Sequence, residues 1–266
     1  MPIITLLTDY GLRDSYVAEV KGVILGIAPE ATIIDITHEV EKFDVEEGAF
    51  QLARCVNYFP EGTIHVGVVD PGVGGGRKSI IIKARGALFV GPDNGLLAPA
   101  AERLGVEGVY EIREDRLPIK RVSYVFDGRD VFAPVAAYLA KGVPPTELGV
   151  EASSYVRLAQ YQPRIVGEDL EATVIHVDGF GNLVTNLTYK LLDELGVREG
   201  CNLRVNLRGR ELEIPYVRSF SSVGVGELLA LVAGGGYLEI SVNMGSARER
   251  LGISKGERLI LRPEYR

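Results

Sequence analysis

Two carboxylates stand where segments that read as buried strands run out. Asp9 follows the apolar run Ile3–Thr8 and precedes Tyr10-Gly11, and Asp70 follows Ile64–Val69 and precedes Pro71-Gly72. Aspartate before Gly or Pro-Gly is an ordinary turn residue. Two of them at matching strand ends, however, sit where open α/β sheets collect ligands. Asp70 also opens the densest glycine stretch, Asp70-Pro71-Gly72-Val73-Gly74-Gly75-Gly76-Arg77. Such a turn lets backbone N–H groups approach a ligand, yet it lacks the Gly-Lys-Ser/Thr ending of a phosphate loop. The alternatives are a loop that brings Arg77 back beside Asp70 and a plainly solvated arginine. Gly91-Pro92-Asp93-Asn94-Gly95 reads as a turn. Within Phe126–Pro134, Arg129 and Asp130 suit an ion pair and a helix cap.

Later in the chain Asp178 and Asn182 bracket Phe180, and Asn243-Met244-Gly245-Ser246-Ala247 follows a strand-like run. Amide side chains and backbone groups at strand ends suit the hydrogen-bonding edge of a base, and Phe180 and Phe220 suit its faces. Core packing is the competing role for each aromatic. His38, His65 and His176 have no metal-ligand spacing, so no metal site is expected. Cys55 and Cys201 match no metal spacing and read as small buried thiols.

The elements that must position these groups change character along the chain. In the first half, strands at Ile3–Thr8, Thr32–Thr37, Ile64–Val69, Ser79–Lys83 and Ala87–Val90 are interspersed with helices. One helix carries Val17, Val20, Ile24 and Ile27 at helical spacing, with Asp14 as its expected cap, and another spans Val45–Tyr58. A third, capped by Asp130, runs through Tyr138 and Leu139, with Gly142 just past its end. This order predicts an α/β domain with a mostly parallel sheet flanked by helices. In the second half, strands Ala172–Val177 and Leu183–Leu187 flank a turn. Alternation through Leu203, Val205, Leu207, Leu212 and Ile214, then Tyr237–Val242 and Arg258–Leu261, predicts a smaller all-β barrel-like domain. Tyr189–Leu195 is its main helical pattern. The polar stretch Gln160–Glu171 separates the two, giving domains over 1–162 and 170–266.

The 266 residues suffice for either arrangement, and 46% hydrophobic with 24% charged residues is an ordinary globular balance. A net charge of -7 disfavours nucleic acid as a partner. No apolar run approaches a membrane span and no signal peptide opens the chain, so no membrane association and a cytoplasmic location are expected.

Six motifs, taken in order, resemble the SAM hydroxide adenosyltransferases, relatives of the bacterial fluorinases and chlorinases. They are Thr8-Asp9-Tyr10-Gly11, Val69-Asp70-Pro71-Gly72-Val73-Gly74, Pro92-Asp93-Asn94-Gly95, Gly128-Arg129-Asp130-Val131-Phe132-Ala133-Pro134, Phe180-Gly181-Asn182 and Asn243-Met244-Gly245-Ser246-Ala247. The resemblance covers nearly the whole chain. It implies an enzyme that cleaves S-adenosyl-L-methionine (SAM) at C5′ with a water-derived nucleophile, giving adenosine and L-methionine. It implies no metal and no organic cofactor, with adenosine as a bound product. It also implies a homotrimer whose active sites lie between the N-terminal domain of one subunit and the C-terminal domain of the next.

Carried over, Asp9 holds the ribose hydroxyls, Phe180 and Phe220 flank adenine, and Asn182 with the backbone near Asn243–Gly245 reads its edge. Asp178 and Asp14 meet the methionine ammonium, and Phe43, Gly128 and Met244 join the substrate-binding set. Asp70 and Arg77 match two members of an Asp–Arg–His water-activating group. The third departs: the family has His before Gly-Arg-Asp, and this chain has Asp127. The family's serine of the methionine site is also missing, its place falling within Gly234-Gly235-Gly236, where a glycine backbone can still donate. Asp127 is open to three readings: a general base raised by Asp70, a charge that repels hydroxide, or an introduced change. The expectation is retained binding, reduced turnover and a faster Asp127→His form. The alternatives are a non-catalytic adenosine- or SAM-binding protein and, further off, a SAM-dependent halogenase.

Overall fold

The computed structural model describes residues 1–117, 121–159 and 162–264. The chain forms two compact units, Met1–Leu158 and Ala159–Arg266.

In the first unit the elements run β1 (Ile3–Thr8), α1 (Tyr16–Ile27), β2 (Thr32–Thr37), α2 (Val45–Cys55) and β3 (Thr63–Val68), then β4 (Ser79–Ala84) and β5 (Ala87–Pro92). They continue through α3 (Ala98–Leu104), β6 (Val106–Ile112), α4 (Ala133–Ala140), α5 (Pro145–Leu148) and β7 (Gly149–Glu151). The sheet order is β2-β1-β3-β5-β4-β6-β7. The first four strands are parallel, and the last three join antiparallel. The helix-flanked sheet read from the sequence is present, its parallel strands β2-β1-β3-β5 continued by an antiparallel edge that makes it mixed. The cause is local: only Arg85-Gly86 separates β4 from β5, Gly86 has φ 74°, and two residues close a hairpin rather than a crossover.

Ile4, Leu6, Val66 and Val90 of the parallel strands pack with Val20 and Ile24 of α1 and Val135 and Ala136 of α4. This fully buried layer holds the C-terminal ends of β1 and β3 rigidly beside each other, with Leu6 opposite Val66. Two expected caps are absent. Ser15, not Asp14, is the N-cap residue of α1, and its hydroxyl donates to Glu19 instead. Asp130 lies inside a five-residue π-helical turn, Gly128–Phe132, that leads into α4.

His65 on β3 is fully buried, stacked on Phe89 with ring centroids 5.0 Å apart, and its Nδ1 lies 2.8 Å from Thr5 Oγ1. Burial pushes its pKa from 6.5 down to about 4. The unfolded chain therefore binds a proton there more readily than the folded one. This contribution to stability is complete above pH 6.5 and is lost as pH falls toward about 4. The loss should reach roughly 3 kcal/mol. Thermal melts between pH 4 and 7 should show this slope, and His65→Phe should flatten it; an equal slope in the variant would assign it elsewhere.

The second unit contains β8 (Arg164–Val166), β9 (Asp169–Val177), β10 (Leu183–Thr188), α6 (Tyr189–Glu194), β11 (Asn202–Leu207) and β12 (Arg210–Pro215). It ends with β13 (Leu228–Val232), β14 (Tyr237–Val242), α7 (Ala247–Leu251) and β15 (Arg258–Glu264). All pairings between these named strands are antiparallel, in the order β12-β11-β15-β9-β10-β14-β13, with β8 on β9. The outer strands nearly close the sheet on itself, through a bridge between Tyr216 and Ala230 just past β12. Inward-facing Leu203, Val205, Leu183, Leu238, Ile240 and Leu261 fill the interior. The polar stretch Gln160–Glu171 contains β8 and the start of β9, and its residues 160 and 161 lie outside the described part. Among the described residues no helix is long and apolar enough to cross a membrane.

Candidate active site

Strand β3 delivers Val69 and Asp70 to its C-terminal end, and the Pro92-Asp93-Asn94-Gly95 motif latches that end. The Asn94 amide donates to Val69 O (2.8 Å) while its carbonyl accepts from Leu96 N–H (3.1 Å). Beyond Asp70 the glycine stretch doubles back, with Val73 N–H donating to Asp70 O and Gly75 N–H to Gly72 O. Gly74 has φ 74°, and a β-carbon there would lie 2.8 Å from Tyr124 O, so the loop needs glycine at this point. The result is the return loop anticipated above. Arg77 Nε donates to both carboxylate oxygens of Asp70 (3.1 and 3.0 Å), Nη1 donates to Ser79 Oγ (2.9 Å), and Nη2 reaches Asp70 and Asp127 together.

Asp127 sits just before the π-helical turn and its side chain is almost fully buried. One of its oxygens accepts from Arg77 and the other from Arg121. Both oxygens are paired with cations, as both oxygens of Asp70 are paired with Arg77, so neither carboxylate stands free of a guanidinium. Nothing in the sequence points to Arg121, because a lone arginine in a polar loop carries no spacing signal. Its Nε donates to Glu114 (2.8 Å), its guanidinium lies 5.1 Å over the Tyr124 ring, and its side chain is only 14% exposed. Burial opposes the charge of Arg77, but hydrogen bonds and charges from Asp70 and Asp127 outweigh it and raise the pKa. Arg77 thus stays a cation at any working pH.

Asp70 and Asp127 edge a cavity of about 540 Å³ whose wall also includes Asp9, Tyr10, Tyr16, Phe43, Phe126 and Gly128, and Arg77 backs the two carboxylates without lining it. Asp9 is anchored by Phe43 N–H donating to Oδ2 (3.0 Å), and Lys42 donates to its backbone carbonyl. Phe43 holds φ 66°, an uncommon backbone state for a bulky residue, with its ring 68% exposed. Tyr10, Tyr16 and Phe126 form an edge-to-face trio. Burial, then the charges of Asp9, Asp70 and Asp127, raise the Tyr10 pKa well above its usual value, so its hydroxyl remains a neutral donor. Tyr10 and Phe126 carry no sequence signal beyond their place in motifs.

Asp14 does not join the cavity wall and is exposed. Arg129 and Asp130 form the expected ion pair (2.7 Å). Asp130 also accepts from Val122 N–H (3.0 Å) and Ser123 N–H (2.7 Å), so it fixes the loop that carries Arg121.

In the second unit, the turns after β9 and β14 are brought together. Asp178 Oδ1 accepts from Phe180 N–H and Asn182 N–H (both 2.9 Å), and the Asn182 amide donates to Oδ2 (2.8 Å). Gly181, at φ 82°, lies flush against Ser246, whose Cβ would be 2.8 Å from an added β-carbon. Arg248 N–H donates to Gly181 O (2.9 Å), and the Asn243 amide donates to Val223 O (2.8 Å) in the loop that follows Phe220. Phe180 and Met244 are 82% and 85% exposed and Phe220 39%. Their exposure removes the core-packing reading of the two phenylalanines. The Gly234–Gly236 triplet forms the β13–β14 turn, at the other end of β14 from Asn243. Among the described residues no group of His, Cys, Asp or Glu is arranged to hold a metal ion.

Residues 4–149 match the SAM hydroxide adenosyltransferase N-terminal domain, and residues 172–260 match its C-terminal domain. The chain belongs to the SAM hydroxide adenosyltransferase family. It is 41% identical over 261 residues to the (R)-S-adenosyl-L-methionine hydrolase of Salinispora tropica, covering 97% of each chain. The hydrolase of that name from Methanocaldococcus jannaschii is 35% identical, with 95% of this chain and 93% of that one covered. A fluorinase of Nocardia brasiliensis is 31% identical, with 92% and 91% covered. Among solved structures, an uncharacterized conserved protein from Thermotoga maritima is 40% identical, with a TM-score of 0.88 over 97% of this chain and 99% of that one.

Proposed function

We propose that this chain hydrolyses S-adenosyl-L-methionine at C5′, giving adenosine and L-methionine. The observation that carries the reading is Arg77 held against buried Asp70 beside a cavity ringed by carboxylates and aromatic rings. A sulfonium cation is favoured there, by the negative charge of Asp9 and Asp70 and by the faces of Tyr10, Tyr16 and Phe126. In the reaction a water oxygen attacks C5′ in line with the carbon–sulfur bond. That bond breaks with its electron pair going to sulfur, so methionine leaves neutral and needs no general acid. The attacking oxygen becomes an oxonium that loses its proton readily, and Asp70 is placed to accept it and pass it to solvent. Arg77 stabilises hydroxide character on the same oxygen. Positioning contributes as much as proton removal.

Asp9 is assigned to the ribose hydroxyls, Phe180 and Phe220 to the faces of adenine, and Asn182 with the Asn243–Gly245 backbone to its edge. Asp178, already accepting three hydrogen bonds, is assigned to the substrate ammonium through its remaining lone pairs. Neither a metal nor an organic cofactor takes part. The assembly is a homotrimer with active sites between subunits, which accounts for the exposed apolar residues Phe43, Phe180 and Met244. A halide nucleophile is disfavoured, since Asp70 and Asp127 place carboxylates where it would sit.

Incubation with SAM in ¹⁸O-labelled water is expected to give adenosine labelled in its 5′-hydroxyl. Unlabelled adenosine would overturn the nucleophile. Saturable SAM binding without product would turn the reading to a binding protein, and 5′-halo-5′-deoxyadenosine in the presence of halide to a halogenase. Light scattering should return three times the 28.9 kDa chain mass; a monomer would remove the shared-site arrangement.

A further inference from the structure

Resting on that hydrolytic reading, we infer that Arg121 is a positioning residue: it neutralises Asp127 so that Asp127 can hold Arg77 in place without opposing the nucleophile. Asp70 and Asp127 both contact the Arg77 guanidinium, and with Arg77 alone the cluster would be two carboxylates sharing one cation. A net negative charge beside the attacking oxygen would disfavour hydroxide character there. Arg121 supplies the second cation, on the far oxygen of buried Asp127; its other partner, the Glu114 carboxylate, is 47% exposed and its charge is screened by solvent. Glu114 holds its Nε, and Ser123 O accepts from its Nη1 (3.1 Å), so the guanidinium is fixed from three sides.

The layout places Arg121 one layer away from the substrate. It does not line the cavity that holds Asp9, Asp70 and Tyr10. It lines a separate polar cavity of about 320 Å³, bounded by Gly74–Gly76, Glu114 and Tyr124. Asp127 is the residue common to both. Arg77 also lines this polar cavity and not the first, so Arg121 acts on the reaction through the carboxylate that it shares with Arg77, and it reaches the first cavity's wall otherwise only at the Ser123 backbone.

The pairing reverses an expectation drawn from the sequence alone. Asp127→His was expected to speed the reaction. With Arg121 present, that change sets an imidazole between two guanidiniums and leaves Arg121 without its buried carboxylate, which is costly. Aspartate at 127 and arginine at 121 act as one unit, and should be exchanged together.

The test is a double-mutant cycle on the full chain. Arg121→Met is expected to lower kcat about 10–100-fold with KM within about threefold, and Asp127→His to lower kcat about tenfold. In the Asp127→His background, adding Arg121→Met should raise kcat above that of either single variant. Equal losses from Arg121→Met in both backgrounds would show a merely structural role and overturn the inference, as would no loss in either. A second readout does not depend on turnover. In ¹⁵N-edited spectra of arginine side chains, Arg121→Met should shift the Arg77 Nε–H signal and speed its exchange with solvent, and an unmoved signal overturns the inference. If wild type forms no adenosine while the Arg77 signal responds, the hydrolytic reading fails and the Arg121–Asp127–Arg77 coupling stands.

Discussion

Replacing Asp70 by Asn should cut kcat for SAM hydrolysis by about 10²–10⁴-fold while leaving KM within a few-fold. Asparagine has nearly the same shape, so the C-terminal end of β3 and its latch to Asn94 should survive. The charge does not survive. Arg77 Nε now donates to both oxygens of a carboxylate, and Nη2 to the same group. An amide can accept at one atom only and turns N–H donors toward the guanidinium at the other. Arg77 would lean on Asp127 alone, and the attacking water would lose both its acceptor and its aim. On the proposed assignments, ground-state binding is shared among Asp9, the aromatic trio and the second unit's turns, and the charge of Asp70 is one contribution of several, so KM should rise no more than a few-fold. Steady-state kinetics with adenosine quantified by chromatography gives both constants. A kcat within tenfold of wild type would show that the oxygen nucleophile is prepared elsewhere. A raised KM at unchanged kcat would make Asp70 a binding residue.

Much of this arrangement is legible in the chain because strand-end geometry is local. The apolar runs ending at Asp9 and Asp70 predict β1 and β3, and parallel pairing in register brings the two carboxylates to one rim. The run of glycines predicts a tight return, and Arg77 does return. What stays hidden depends on contacts between distant segments. Asp130 carries every sign of a helix cap, yet tertiary contacts take it: it fixes Val122 and Ser123, while the turn it occupies is π-helical. Nothing near Arg121 in sequence announces that it meets Asp127, since the pairing exists only once that loop is tied down. Strands β6 and β13 escaped because their apolar residues do not alternate: Val106–Ile112 is broken by Glu107, Gly108 and Glu111, and Leu228–Val232 is uniformly apolar. In the second unit the turn glycines and asparagines were readable, but only folding shows that Gly181 and Ser246 touch.

Gly128→Ala should weaken adenosine binding by about 100-fold and cost roughly 1–3 kcal/mol of stability, because one methyl group has nowhere to go. A β-carbon at 128 would collide with Tyr10 Oη and lie 3.2 Å from its Cζ. Gly128 is buried in the π-helical turn, so the backbone cannot step aside without moving Asp127 and α4. Tyr10 cannot step back either: its ring meets Tyr16 at 6.0 Å and Phe126 at 5.7 Å, and those two meet each other at 5.3 Å. The direction left to it is into the cavity, where it would occupy space meant for the nucleoside. Backbone conformation plays no part, since Gly128 is not among the positive-φ glycines. A second change should therefore relieve the clash. Tyr10→Phe removes the colliding oxygen and leaves the 3.2 Å contact, so the Tyr10→Phe, Gly128→Ala pair should regain most of the lost affinity. Calorimetry with adenosine, run beside thermal melts, separates binding from stability. Near-normal affinity in the single variant, or no recovery in the double, would mean that the tyrosine is free to move and that this wall of the cavity is set by something other than the contact between residues 10 and 128.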